Sequence, residues 1–93
     1  MIEDIKGYKP HTDEKITVVN EIKEIELALG TLFKRIEKVH VDYYIGLGSE
    51  DNVSDSELDE AHERVSQIRL AKERLKEASM WACRSVFQPE EKY

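Results

Sequence analysis

Two long stretches of the chain repeat apolar residues at alternating intervals of three and four, and this spacing limits the fold more than any other feature. The seam predicted for the first stretch is Ile22, Ile25, Leu29, Leu32, Ile36, Val39 and Tyr43. The seam predicted for the second stretch is Leu58, Ala61, Val65, Ile68, Lys72, Leu75, Ser79, Ala82 and Val86. A repeat of this kind places side chains on one face of an α-helix that packs against another helix. We therefore predict an all-α fold.

Local signals set the predicted ends of the first helix. Thr12 is a favourable N-cap residue, and the acidic Asp13 that follows suits the positive end of the helix dipole. Gly46 and Gly48 are expected to break the helix, and a polar stretch follows them. The first helix is therefore predicted over residues 12–45.

The second helix is predicted to begin after a capping box formed by Ser54 and Glu57. Pro89 ends it, because proline disfavours helical backbone at the residue before it, here Gln88. The predicted division is an N-terminal element at 1–11, a helix at 12–45, a loop at 46–54, a helix at 55–87 and a tail at 88–93.

The 93 residues are enough for one domain and too few for two. Two helices joined by a short loop form an antiparallel hairpin, and each helix is roughly 48 Å long at 1.5 Å per residue. Ile16, Val19 and Phe33 widen the apolar face of the first helix beyond what one partner helix covers. An isolated hairpin of this size is marginally stable. We therefore expect the remaining apolar surface to be buried in a compact homo-oligomer.

The charge balance excludes several classes of function. Lys and Arg number 14 against 20 Asp and Glu, a formal net charge of −6. Nucleic-acid binders normally present a basic face to the phosphates, so neither DNA nor RNA is an expected partner, although one pocket can still be locally basic. The apolar runs are too short to span a membrane, and the N-terminus lacks the apolar core of a signal peptide. We expect a cytoplasmic protein.

The single cysteine, Cys83, is interpreted as a small apolar packing residue. One cysteine forms no internal disulfide and no zinc cluster. No histidine lies near it in the sequence to act as a base, and Gly46–Gly48 lacks the lysine and serine of a phosphate-binding loop. The sequence predicts neither a catalytic residue nor a cofactor.

One pair of spacings is compatible with a metal-dependent enzyme. Glu37 and His40 are three apart late in the first helix, and Asp59 and His62 are three apart early in the second. Di-iron helical bundles use two such motifs with further glutamates. Both motifs lie beside the loop, and an acidic chain matches such spacings by chance. Exposed helical charge is the simpler interpretation, and we predict no metal.

A second candidate site lies around the start of the first helix. Tyr8 is an amphipathic ring just before a helix N-terminus, whose free N–H groups attract anions. Lys23 lies eleven residues past the cap, about 16 Å along the helix axis. An aromatic ring and a cation are what a nucleotide pocket requires. From composition alone, a surface tyrosine and a solvated lysine remain the simpler interpretation, and Trp81 and Phe87 are interpreted as core or interface residues.

Two segments of the sequence support a more specific hypothesis. KGYKPHTDEKITVVNEIKEIE, near the N-terminus, and IRLAKERLKEASMWACRSVFQPEEKY, at the C-terminus, resemble the anti-CBASS cyclic-nucleotide sponges of tailed phages, especially the T-even branch. Their hairpin domain also occurs in part of the anti-Thoeris sponges. The resemblance covers the first helix and most of the second. The middle, roughly 40–63, does not obviously match.

The resemblance implies a function and a site. Members assemble as hexamers, bind cyclic dinucleotides such as cyclic GMP-AMP between paired subunits, and withhold them uncleaved from the immune effector in the host bacterial cytoplasm. Tyr8 matches the family's base-stacking tyrosine, and Lys23 matches its phosphate-binding lysine. Some members bind cyclic trinucleotides at a second, threefold site. At that second site, this sequence has Lys72 where the family has an arginine, and Ile25 where the family has a hydroxyl residue.

Two other classes of function remain open at this point. A helical adaptor that docks a host protein would expose an apolar groove and bind no small molecule. A di-metal carboxylate enzyme would hold iron or manganese between the two helices.

Overall fold

The computed structural model describes residues 12–89, which form a hairpin of two helices. Helix α1 spans Asp13–Gly48 and helix α2 spans Asp55–Phe87. Within 12–89 the chain contains no strand. The predicted N-terminal element at 1–11 and the last residues of the tail lie outside the described residues.

The contacts between the helices show that they run antiparallel. Interhelical contacts join Glu26 to Ser79, Glu37 to Lys72, and Tyr44 to His62. Residues near the start of α1 therefore contact residues near the end of α2, and the reverse holds at the other end of the hairpin. The prediction of an all-α antiparallel hairpin is confirmed.

Both helices begin at the predicted caps. The Thr12 hydroxyl accepts a hydrogen bond from the backbone N–H of Lys15 at 3.2 Å. The Ser54 hydroxyl accepts one from the backbone N–H of Glu57 at 3.1 Å. Each bond satisfies one of the amide groups that a helix start leaves without a partner.

Helix α1 continues through both glycines at which it was predicted to break. It ends at Gly48, and the N–H of Ser49 bonds to the carbonyls of Gly46 and Leu47. Glycine lowers helix propensity by about 1 kcal/mol but leaves every hydrogen bond in place, unlike proline. Leu47 is buried, and this contact offsets the cost of the flanking glycines.

The turn and the end of α2 use left-handed backbone at non-glycine residues. In the turn, Asn52 has φ 63°, a conformation that asparagine tolerates better than most residues. Gln88 has φ 47° and ψ 60°, and its N–H bonds to the carbonyl of Arg84 at 2.7 Å. This backbone conformation ends α2 immediately before Pro89, as the residue before a proline was expected to do.

The predicted seam of α2 faces α1 along its whole length. Ala61, Val65, Ile68 and Ser79 are buried. The other predicted members of this seam are half-buried. The polar Lys72 keeps its place in the seam because it has a charged partner across the hairpin.

The predicted seam of α1 is partly wrong. Ile25 and Val39 belong to that prediction but are 66% and 61% exposed. Val19 is instead buried and Phe33 half-buried, although the sequence places both on the flank of the predicted seam. The side of α1 that contacts α2 is therefore rotated relative to the prediction. A wide apolar face does not specify which part of it the partner helix covers.

The exposed apolar residues of α1 form a regular line. We define the apolar stripe as Val18, Ile25, Leu32 and Val39, which repeat every seven residues. Their exposure follows from the shape of the hairpin, which measures 66 × 28 × 17 Å. Its radius of gyration is 20.2 Å, against about 12 Å for a compact domain of this length. Neither described helix has an apolar stretch long enough to cross a membrane.

Candidate ligand-binding site

One of the two residues proposed for dinucleotide binding lies within the described residues. Tyr8 falls outside them. Lys23 is exposed on α1, on the same side as Leu27, Gly30 and Lys34, because residues four, seven and eleven positions apart share a helical face. Leu27, Gly30 and Lys34 line a cleft between the two helices. Lys23 lies on the same face of α1, one turn closer to the N-terminus.

This cleft, which we call the basic cleft, has a volume of about 170 Å³. Its lining is Glu26, Leu27, Gly30, Thr31, Lys34, Lys72, Leu75 and Lys76. Both helices contribute lysines. The half-buried Gly30 and Leu75 supply an apolar floor, and the exposed Leu27 lies at the rim. The cleft is basic although the chain is acidic overall.

An ion-pair network fixes one of these lysines. Lys72 Nζ lies 2.7 Å from Oε1 of Glu37, and Arg69 Nε lies 2.9 Å from Oε2 of the same carboxylate. The hydrogen bond from Lys72, followed by that from Arg69, lowers the pKa of Glu37 below its ordinary value of 4.5. Glu37 therefore stays ionised and holds Lys72 in the seam.

The other two lysines have weaker partners or none. Lys76 Nζ lies 3.4 Å from Oε1 of Glu73, and both side chains are largely exposed. Within 12–89, Lys34 makes no ion pair. Glu26, the acidic residue of the cleft, accepts a hydrogen bond from the Ser79 hydroxyl. Lys34 and Lys76 are thus available to a ligand.

A second cleft lies beside the small residues of α2. Its lining is Ile22, Ile25, Glu26, Leu75, Ala78, Ser79 and Ala82. Ile25 lines this cleft, whereas Lys72 lines the basic cleft. The two clefts are neighbours, because Glu26 and Leu75 line both of them.

The residues considered for a metal site have other contacts. The two carboxylate oxygens of Glu37 form ion pairs with Arg69 and Lys72. The ring centroid of His62 lies 5.7 Å from that of Tyr44. Within residues 12–89, no three His, Cys, Asp or Glu side chains lie close enough together to hold a metal ion. The described arrangement gives the di-metal interpretation no support.

The remaining candidates lie near the end of α2. Cys83 is half-buried, which agrees with a packing role, and it is not part of a disulfide. Trp81 is 60% exposed and so is not a core residue of the hairpin, whereas Phe87 is half-buried.

The sequence interpretation missed Lys34, Lys76 and Gly30 as lining residues of one cleft. A signal for them was present. Lys34 is eleven residues after Lys23 and Lys76 is four after Lys72, so each pair shares a helical face. The two pairs line one cleft only because of the side that α1 turns toward α2, and neither helix shows this side by itself.

The comparison with known proteins agrees with the resemblance identified from the sequence. The family model described as the Acb2/Tad1 hairpin domain matches residues 3–87. Anti-CBASS protein 2 of Enterobacteria phage T4 is 53% identical over 94 residues, which covers the whole of both chains. The predicted family is confirmed, and the matched region includes the stretch from 40 to 63. The chain therefore belongs to the Acb2/Tad1 hairpin-domain family.

Proposed function

We propose that this chain is a phage anti-CBASS protein that binds a cyclic dinucleotide and holds it without cleaving it. The observation that carries the proposal is the full-length identity of 53% to Anti-CBASS protein 2. An exposed Lys23 at the end of the basic cleft supports an anionic ligand on this side of the hairpin. The protein would act in the infected host cell, where such a signal is made.

Tyr8 and Lys23 have complementary roles in this proposal. The tyrosine ring stacks on a nucleobase, and the lysine ammonium binds a phosphate. A cyclic dinucleotide is nearly twofold symmetric, so a pocket on a subunit twofold uses each residue twice. Two copies of Lys23 then match the two phosphate charges, which are unfavourable to bury without cations.

Assembly of several chains is part of the same proposal. The apolar stripe and the exposed Trp81 are large apolar groups that water covers in a lone hairpin. Burying these groups between copies would stabilise the assembly by roughly 25 cal/mol for each Å² of apolar area removed from water. The resemblance to the sponges implies a hexamer, and we adopt that number as the expected assembly.

The second site, for a cyclic trinucleotide, involves Lys72 and Ile25. These residues line two clefts of one hairpin that share Glu26 and Leu75. The resemblance implies a threefold site, so three copies of each residue would face the ligand. Lysine also replaces the bidentate arginine of the family pattern, so phosphate contacts there would be less directional.

Calorimetric titration with cyclic GMP-AMP tests the proposal, with a linear dinucleotide of the same bases as the control ligand. We expect saturable, tight binding of the cyclic form and weaker binding of the linear form. After incubation, the bound ligand should be recovered by chromatography as the intact cyclic compound.

Two results would contradict the proposal. Linear nucleotide among the recovered products would show an enzyme and not a sponge. No binding to any of a panel of cyclic di- and trinucleotides, in a thermal-shift screen, would favour the adaptor interpretation, in which the exposed apolar residues dock a host protein.

A further inference from the structure

Helix α1 has a second apolar seam that α2 leaves largely uncovered. It consists of the apolar stripe and the half-buried residues that alternate with it, Ile22, Leu29 and Ile36. The two sets alternate by three and four residues, the spacing of a helix that packs against another helix along a heptad seam. Ile25 is 66% exposed and Leu32 is 37% exposed, so one hairpin does not bury this surface. We call it the outer seam.

The outer seam is complementary to itself when a second copy lies antiparallel against it. In an antiparallel pair of heptad helices, each seam residue of one copy packs at the level of a seam residue of the other. With a twofold axis beside Ala28, the paired residues are Ile22 with Leu32, Ile25 with Leu29, and Val18 with Ile36. Every pair is apolar, and the twofold axis forms each of them twice.

The charges that border the outer seam fit the same axis. Glu21 and Arg35 lie one heptad before and one heptad after Ala28, on the same border of the seam. Both are exposed, and within 12–89 neither makes an ion pair. In the antiparallel pair, Glu21 of each copy meets Arg35 of the other. A parallel pair would instead bring Glu21 beside Glu26 of the other copy, where like charges repel.

The neighbouring surface of α2 leaves room for the second copy. The second cleft lies beside the outer seam, since two residues of the seam line it. On α2 its lining includes Ala78, Ser79 and Ala82, whose small side chains permit close approach of another helix. The hydrogen bond from Ser79 to Glu26 shows that this part of α2 is level with the middle of the outer seam. The available space therefore lies next to the twofold axis.

We infer that two copies of this chain pair through the outer seam, α1 against α1, antiparallel and in the register that joins Glu21 to Arg35. A second copy is the partner because the apolar pattern and the charge pattern fit one twofold axis. The inference rests on the association of copies in the proposed function, and it specifies the surface, the direction and the register. Ile25 packs against Leu29 of the second copy, which suits an isoleucine where the family has a hydroxyl residue. This packing counts against a trinucleotide contact at Ile25.

Charge reversal tests the register. Arg35→Glu places a carboxylate opposite Glu21 in both halves of the contact and should raise the dissociation constant of the association about tenfold. Glu21→Arg combined with Arg35→Glu makes the charges opposite again and should restore the parent's dissociation constant. Lys34→Glu is the matched control, since it changes the net charge equally but Lys34 lines the basic cleft. Sedimentation equilibrium over a range of concentrations measures these constants.

Crosslinking tests the direction. Each variant also has Cys83→Ser, which removes the single native thiol. Glu21→Cys with Arg35→Cys, treated with a short bismaleimide, should give covalent dimers, because the two positions meet between copies. Within one helix they lie fourteen residues apart, about 21 Å, too far for the reagent. Glu21→Cys alone, or with Lys34→Cys, is the control and should give few dimers.

Circular dichroism should show the parent's helical content in the charge variants, since Glu21, Lys34 and Arg35 are all exposed. A loss of association in Arg35→Glu that the double variant reverses is therefore not damage to the fold.

Four outcomes would overturn the inference. They are a monomeric parent, equal effects of Arg35→Glu and Lys34→Glu, a double variant that associates no better than Arg35→Glu, and equal crosslinking of Glu21→Cys alone. If the last three occur in a parent that still assembles and binds cyclic GMP-AMP, the proposed function is unaffected and the copies meet through another surface. A parent that pairs as inferred but does not bind cyclic GMP-AMP would contradict only the ligand of the proposed function.

Discussion

Lys72 Nζ lies 2.7 Å from Oε1 of Glu37, and this ion pair joins the two helices inside a seam that is otherwise apolar or small on the α2 side. The second oxygen of Glu37 binds Arg69 at 2.9 Å. Both members of the first pair are about three-quarters removed from water, so one left without the other would be unfavourable. The network therefore favours the one register in which Glu37 meets both cations.

The pH dependence of stability should reveal this network. The hydrogen bonds from Lys72 and Arg69 lower the pKa of Glu37 from its ordinary value of 4.5, so its ionised form is stabilised in the folded chain. That contribution is complete above 4.5 and decreases as the pH falls through the lower folded pKa. We expect Glu37→Gln to reduce the free energy of unfolding at neutral pH, and to lose this effect in acid.

Urea unfolding at a series of pH values measures the difference between the parent and Glu37→Gln. Glu24→Gln is the control, since Glu24 is exposed and within 12–89 makes no ion pair. A difference between parent and Glu37→Gln that stays constant from neutral pH to pH 3 would contradict the assigned role.

The buried hydroxyl of Ser79 should also contribute measurably to stability. Ser79 is 8% exposed and donates a hydrogen bond to the carboxylate of Glu26. Ser79→Ala leaves that half-buried carboxylate without a donor, which costs about 1–3 kcal/mol. Ser85→Ala is the control, because Ser85 is exposed and donates a hydrogen bond to the carbonyl of Ala82 in its own helix. Thermal unfolding of the two variants should differ clearly, and equal values would argue against the assigned hydrogen bond.

The sequence predicted the hairpin, both N-caps and the whole seam of α2, because each depends on local signals. It did not predict the face of α1. Ile25 and Val39 fit the heptad repeat but are exposed, whereas Val19 and Phe33 lie beside the repeat and are buried or half-buried. Both pairs are apolar, so only the packing against α2 shows which pair faces the partner helix. The basic cleft depends on that facing, so its membership could not be read from either helix alone.

The proposed dinucleotide site gives a prediction for two substitutions. Tyr8→Ala removes base stacking, worth roughly 1–3 kcal/mol for each base, and a symmetric pocket uses the ring twice. Lys23→Ala removes one cation from each half of the pocket and should weaken binding at least as much. Lys23→Ala should not lower the melting temperature without ligand, since Lys23 is exposed and surface substitutions usually change stability by less than 0.5 kcal/mol.

Titration calorimetry with cyclic GMP-AMP measures both losses. Lys38→Ala serves as the control, because Lys38 is exposed on α1, pairs with Asp42, does not line the basic cleft and should leave dinucleotide affinity unchanged. Parent-like affinity in Tyr8→Ala and Lys23→Ala would show that the pocket lies elsewhere.

The apolar stripe predicts the response of the assembly to a single charge. Val39 is 61% exposed in one hairpin, so Val39→Lys should barely change the stability of a lone chain. Between copies, the same lysine would be buried without a partner, and the oligomer should dissociate toward the 10.8 kDa monomer and melt at lower temperature. Leu70→Lys is the matched control, because Leu70 is 52% exposed but its helical neighbours, three and four residues away on either side, are polar. Light scattering at low micromolar concentration measures the mass of each variant. A parent that is already a stable monomer, or a Val39→Lys variant with the parent's mass, would show that the stripe is not the surface through which copies of this chain associate.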